Sequence, residues 1–135
     1  MTIHRGHCRC EGITVEISQD AVASVYCHCD DCRRSAGAPV IASVGFNKAA
    51  IAWTADTTVG RWVKGTCTRL FCSRCGTPVA QEHEIAPERT YFYTAFMEKP
   101  ELFPPQAHAF AGEKLGWLEL ADTLEKHERG ASIDL

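Results

Sequence analysis

The spacing of the cysteines constrains this chain more than any other feature. Eight of its 135 residues are cysteine, at positions 8, 10, 27, 29, 32, 67, 72 and 75. In order they make a CxC pair, a CxCxxC triplet, a lone residue and a CxxC pair. FCSRCG at 71–76 has the form of a zinc knuckle: a tight turn aims two thiolates at one ion, and Gly76 tolerates the backbone angles such a turn requires. Two thiolates leave a tetrahedral site half built, and Cys8 with Cys10 is the natural complement. Positions i and i+2 of a regular strand lie roughly 6.5–7 Å apart, whereas sulfurs sharing a zinc sit about 3.8 Å apart. The chain is therefore expected to bend at both CxC pairs, and Gly6 and Gly12 flank the first.

Cys27, Cys29 and Cys32 crowd into six positions with no fourth cysteine nearby. Two closed four-cysteine sites would use all eight residues, with Cys67 completing the second. A division into four, three and one is favoured, because Cys67 lies in the alternating stretch TCTRLF, where a buried strand cysteine is common. His28 is a chemically suitable fourth ligand, but it sits between two cysteines that must both reach the metal and is expected to point away. His4, His7, His83 and His127 show no ligand spacing and read as ordinary surface residues. Arg33 and Arg34, directly after Cys32, would balance an electron-rich thiolate cluster or meet an anionic ligand.

Apolar residues make up 45% of the chain, which suits one domain spanning 1–135 with a real core. Cysteine usage lies below the roughly 8–10% of small disulfide scaffolds, and the opening MTIHRGHCRC has no apolar signal core. Reduced thiols and a cytoplasmic protein are therefore expected. PVIASVGF at 39–46 is far shorter than the roughly 20 apolar residues that span a membrane, so no membrane role is implied. A net charge of −3 argues against nucleic-acid binding.

Alternation in ITVEI and strand-rich composition in AVASVY, PVIASVGF, TVGRWV and ERTYFYTAF, each bounded by turn residues, predict a mainly β fold of packed antiparallel sheets. Asp30 or Asp31 is expected to cap a short helical turn ended by Gly37. LELADTLEKHER reads as a terminal turn. Trp53, Trp62 and Trp117, with Tyr91, Phe92, Tyr93 and Phe96, are expected to pack the core.

Several of these motifs, in this order, resemble the glutathione-dependent formaldehyde-activating enzyme family, also called Gfa-like or centromere protein V-like. GHCRC at 6–10 resembles its opening CxC, CHCDDCRRSAG at 27–37 its central segment, and FCSRCGTP at 71–78 its knuckle. AFMEKPELFPPQAHAF, containing His108, and GWLELADTL, with Trp117 and Asp122, resemble its later segments. The resemblance implies an Mss4-like fold of packed antiparallel sheets with zinc-binding loops. It implies a structural zinc on Cys8, Cys10, Cys72 and Cys75. A second, catalytic and exchangeable zinc would sit on Cys27, Cys29 and Cys32, where three thiolates leave one coordination position for a thiol. Glutathione or another small thiol and an aldehyde are the implied substrates, in a carbon-sulfur lyase-type reaction giving S-hydroxymethylglutathione. Arg33 or Arg34 would hold a substrate carboxylate. The competing class is a non-catalytic zinc module that carries a thiol or binds a protein. Glu11 stands where the family often has Gly after the first CxC, and Glu125 where it often has Pro.

Overall fold

A computed structural model describes residues 2–130. Met1 and residues 131–135, which the single-domain expectation includes, lie outside the described residues. Short segments form β1 (His4–His7), β2 (Thr14–Ile17), β3 (Ala23–Cys27), β4 (Ile41–Asn47), β5 (Ile51–Ala55), β6 (Val59–Lys64), β7 (Cys67–Cys72), β8 (Pro78–His83), β9 (Arg89–Tyr93), β10 (Ala107–Ala109) and β11 (Glu125–Lys126), with burial alternating along β2 and β5. One α-helix, α1 (Asp30–Ala36), follows β3. The mainly β class is as expected, and each of the five segments singled out as strand-like contains a strand. No helix among the described residues is long and apolar enough to cross a membrane.

The strands form a three-stranded sheet, β1-β2-β5, and an eight-stranded sheet ordered β11-β10-β3-β4-β9-β8-β7-β6. The small sheet is antiparallel throughout. The large one is mixed: β10 runs parallel to both β3 and β11, a departure from purely antiparallel sheets. A parallel neighbour needs a long connection, and β10 reaches β3 only after β4 to β9 have been laid down.

Register sorts the large sheet into two faces. Val44, Phe92, Ala80 and Leu70 lie in line across β4, β9, β8 and β7. They pack with Phe46, Phe96 and the inner side chains Val15 and Ile17 of β2, and Cys8 and Cys72 belong to this core. On the opposite face, Val25, Ser43 and Tyr93 line up, and so do Tyr91, Gln81, Arg69 and Trp62. There a second core joins Val25, Ile41 and Tyr93 to Cys27, Cys32, Ala107 and Ala109. The two cysteine groups thus occupy opposite faces of one sheet.

α1 begins and ends through local chemistry. Its N-cap is Cys29, whose sulfur accepts from the Cys32 amide, rather than Asp30 or Asp31 as expected. The two aspartates instead occupy the first turn, where their charge favours the helix dipole. Gly37 closes the helix in the left-handed region at φ 63°, a conformation that suits a residue without Cβ.

Three further expectations are corrected. Trp62 and Trp117 are 61% and 73% exposed, so of the tryptophans only Trp53 packs against the core. LELADTLEKHER forms no terminal turn; it carries β11 and sends Asp122 inward to His108. His7 is exposed, but His4 packs edge-on against Phe103 with ring centroids 5.1 Å apart, and His83 and His127 are half-buried.

Candidate functional site

The two cysteine groups converge. The sulfurs of Cys8, Cys10, Cys72 and Cys75 lie within 4.8 Å of one another, and so do those of Cys27, Cys29 and Cys32. Each set could hold a metal ion.

In the four-cysteine set the first CxC bends as its spacing requires. The Cys8 carbonyl accepts from the Glu11 amide at 3.0 Å, and Cys8 and Cys10 bring their sulfurs to 3.7 Å. The bend puts Glu11 at φ 59°, the left-handed region that favours glycine. Cys10 meets Cys72 at 3.6 Å, and the knuckle turn places Gly76 at φ 76°. Donors surround the sulfurs: the Ile13 amide points at Cys8, Arg74 Nε lies 3.2 Å from Cys10, and the Thr58 hydroxyl 3.2 Å from Cys72. The Thr77 hydroxyl, 3.1 Å from Cys75, holds that thiol down to about 5, while burial pushes Cys8 up to about 11. A thiolate-rich shell ringed by N–H and O–H donors is the usual surrounding of a bound thiolate metal.

The three-cysteine set lies between the end of β3 and the start of α1, over the second core. Cys27 and Cys32 are buried, while Cys29 is half-buried. Hydrogen bonds from Cys27 and Cys32 hold Cys29 down to about 2, and the same contacts drive Cys27 far above the ordinary thiol range. Without a cation these crowded sulfurs cannot all ionise, so the donor set fits a divalent ion.

Arg69, which the sequence reading above did not single out, brings a cation against this set. It is 7% exposed and contacts five residues. Its Nε donates to Asp31 at 2.8 Å, and Nη1 reaches Gln81 at 2.9 Å, Tyr93 at 2.8 Å and Ser35 at 3.2 Å. Nη2 meets Asp31 at 2.7 Å and the Cys32 sulfur at 3.4 Å. Burial works against its charge, but the neighbouring Cys32 and Asp31 outweigh it and raise the guanidinium above its ordinary value. Gly45, paired with Tyr91 on this face, leaves room for the tyrosine ring, which lies 2.8 Å from where a Cβ would stand.

His28 and Cys67 both stand outside the three-sulfur group. His28 turns away from the sulfurs, as its place between two ligands suggested. Its Nε2 lies 2.8 Å from His108 Nδ1, and His108 Nε2 lies 2.9 Å from Asp122 Oδ2. Both rings are buried and stack with 16° between their planes. Asp122 accepts, so in the neutral pair His108 carries its proton on Nε2, presents Nδ1 as an acceptor, and receives the His28 Nε2 proton. This chain ties the cysteine loop to β10 and to the segment before β11.

The arginine pair diverges, since successive helical residues point about 100° apart. Arg33 folds inward, donating to the carbonyls of His28 and, at 2.7 Å, Glu113. Arg34 faces solvent, paired with Asp30 at 2.9 Å.

A family model described as glutathione-dependent formaldehyde-activating enzyme matches residues 3–113. A crystal structure of a Rhodobacter sphaeroides protein superposes with a TM-score of 0.61 at 19% identity, covering 75% of this chain and 96% of that one. At that identity the likeness shows a shared fold. No curated protein matches at a significant level. The family model spans both cysteine groups and most of the chain, and the chain belongs to the glutathione-dependent formaldehyde-activating enzyme family.

Proposed function

We propose that this chain is one zinc-binding domain that adds a small thiol, glutathione or a relative, to an aldehyde, or runs the reverse carbon-sulfur cleavage. In the forward direction a C–S bond forms, the carbonyl π bond breaks, and the thiol proton ends on the former carbonyl oxygen. Cys8, Cys10, Cys72 and Cys75 are the structural set; Cys27, Cys29 and Cys32 are the reactive one. A zinc held by the three cysteines would keep an incoming thiol as thiolate near neutral pH.

The observation that carries this reading is the convergence of three sulfurs with no fourth protein ligand among the described residues, His28 being turned toward His108. A closed structural site has four. Arg69 steadies Cys32, Arg33 holds the loop at His28, and Arg34 supplies a solvent-side cation for an anionic end of the thiol. A reducing compartment such as the cytoplasm would keep all eight thiols available.

The test is the exchange rate of glutathione with formaldehyde, measured by magnetization transfer with wild type and with Cys32→Ser. Acceleration by wild type that disappears in the variant is expected. Equal rates with and without protein would sink the activity and leave a thiol-carrying zinc module.

A further inference from the structure

We propose that the cleft between α1 and the β6–β7 hairpin binds the body of an anionic thiol that carries an aromatic or bulky apolar group. The proposal rests on the thiol reading above and names its substrate class.

The cleft is built by register. Trp62 lies opposite Arg69 and Lys64 opposite Cys67, so all four side chains share the face that carries the three-cysteine set. Arg69 bonds to Asp31 and so draws α1 over this face. Between helix and hairpin remains a cleft of about 580 Å³, walled by Trp62, Phe71, Pro78 and Tyr93, with Arg34 and Lys64 on its rim. That volume falls within the roughly 300–1,000 Å³ of sites for drug-sized molecules.

Three features point to the ligand's chemistry. First, Trp62 is 61% exposed on the terminal strand of the sheet, where charged or polar side chains ordinarily guard the edge. Secondly, the aromatic wall is shaped to be flat: the Phe71 ring lies across Gly60, 2.6 Å from where a Cβ would stand. Thirdly, the donors of Arg69 are taken by protein groups, so an anion must be met at the rim. Lys64 is 3.9 Å from Asp31, a loose contact that leaves its ammonium free to turn toward a ligand carboxylate. Arg69 both lines the cleft and touches the Cys32 sulfur at 3.4 Å, so one buried side chain joins the wall of the cleft to the reactive set.

The test titrates the zinc-loaded chain, by calorimetry, with 2-mercaptopropionate and 2-mercapto-3-phenylpropionate, which differ by one phenyl ring. The phenyl compound is expected to bind at least tenfold tighter to wild type. In Trp62→Ser that preference falls below threefold, in Trp62→Phe it persists, and Lys64→Gln weakens both compounds alike. Equal affinity of the two compounds for wild type, or a preference undiminished in Trp62→Ser, overturns the proposal and leaves the thiol reading standing. Binding of neither compound to protein that holds two zincs overturns both.

Discussion

Arg69→Met removes a buried cation while keeping a long apolar stem in place. The substitution withdraws donors from Gln81 and Tyr93, which are 7% and 6% exposed, and from Asp31, Ser35 and the Cys32 sulfur. Breaking a buried pair by removing one partner costs about 3–5 kcal/mol. Asp31 keeps 34% of its side chain in water and can rehydrate, so its share is reduced. A loss of about 2–4 kcal/mol remains, enough to lower the melting temperature by roughly 10 °C in a chain of this size. The loss should also be lopsided, because Arg69 touches Cys32 and none of the sulfurs on the other face of the sheet. Urea unfolding at fixed free zinc, combined with a cobalt titration read through its sulfur charge-transfer bands, measures both effects. The variant should keep the tightly held metal and weaken the second by tenfold or more. Arg69→Lys should fall between, since an ammonium cannot reach all five partners. Stability within about 0.5 kcal/mol of wild type, the scatter of ordinary surface substitutions, or equal weakening of both metals, would refute the reasoning.

Cys72→Ser should abolish cooperative unfolding, because a structural thiolate site contributes folding free energy directly; a soluble, fully folded variant seen by circular dichroism would contradict the assignment. Nitrogen-15 spectra of the imidazoles should find the proton on Nε2 of both His28 and His108, and Asp122→Asn should shift the His108 ring nitrogens. Burial, then the charge of Arg69, lowers the His83 pKa below the usual 6.5. A depressed folded pKa gives stability that is complete above the unfolded value and is lost as pH falls through the folded one. Wild type should therefore lose urea resistance relative to His83→Gln between pH 7.5 and 5.5, and a constant difference would contradict this. Glu11→Gly releases a left-handed strain of about 1–2 kcal/mol against a glycine entropy cost of about 0.5–1 kcal/mol. A gain of about 0.5–1 kcal/mol in urea unfolding is expected.

What the sequence made legible was local. Ligand spacing within CxC and CxxC is set by a few neighbouring dihedrals, so the bend at Cys8–Cys10 and the turn before Gly76 could be read from the chain. Alternation marked β2, and turn residues bounded the strand-rich runs. What stayed hidden depended on register. Arg69 belongs with Cys32 only because β7 is aligned so that Cys67, Arg69 and Phe71 face the helix while Leu70 and Cys72 face the other core. A charged residue at an alternate position of a strand expected to be buried was the one available signal. His28 and His108 meet across 80 residues of chain, and no periodicity encodes that contact. Residue type alone places Trp62 in the core, but β6 ends the described sheet and leaves the ring 61% exposed. Arg33 and Arg34 looked equivalent in sequence, and one residue of helical rotation separates their roles.

The central claim, that one cysteine set is closed and the other open, is tested most directly by counting metal. Zinc per chain should be measured on reduced protein before and after prolonged dialysis against glutathione. Two zincs falling toward one are expected, because three thiolates hold an ion less securely than four and expose it to a competing thiol. Two zincs that never fall would mean that the second site is closed by another ligand, and would contradict the account.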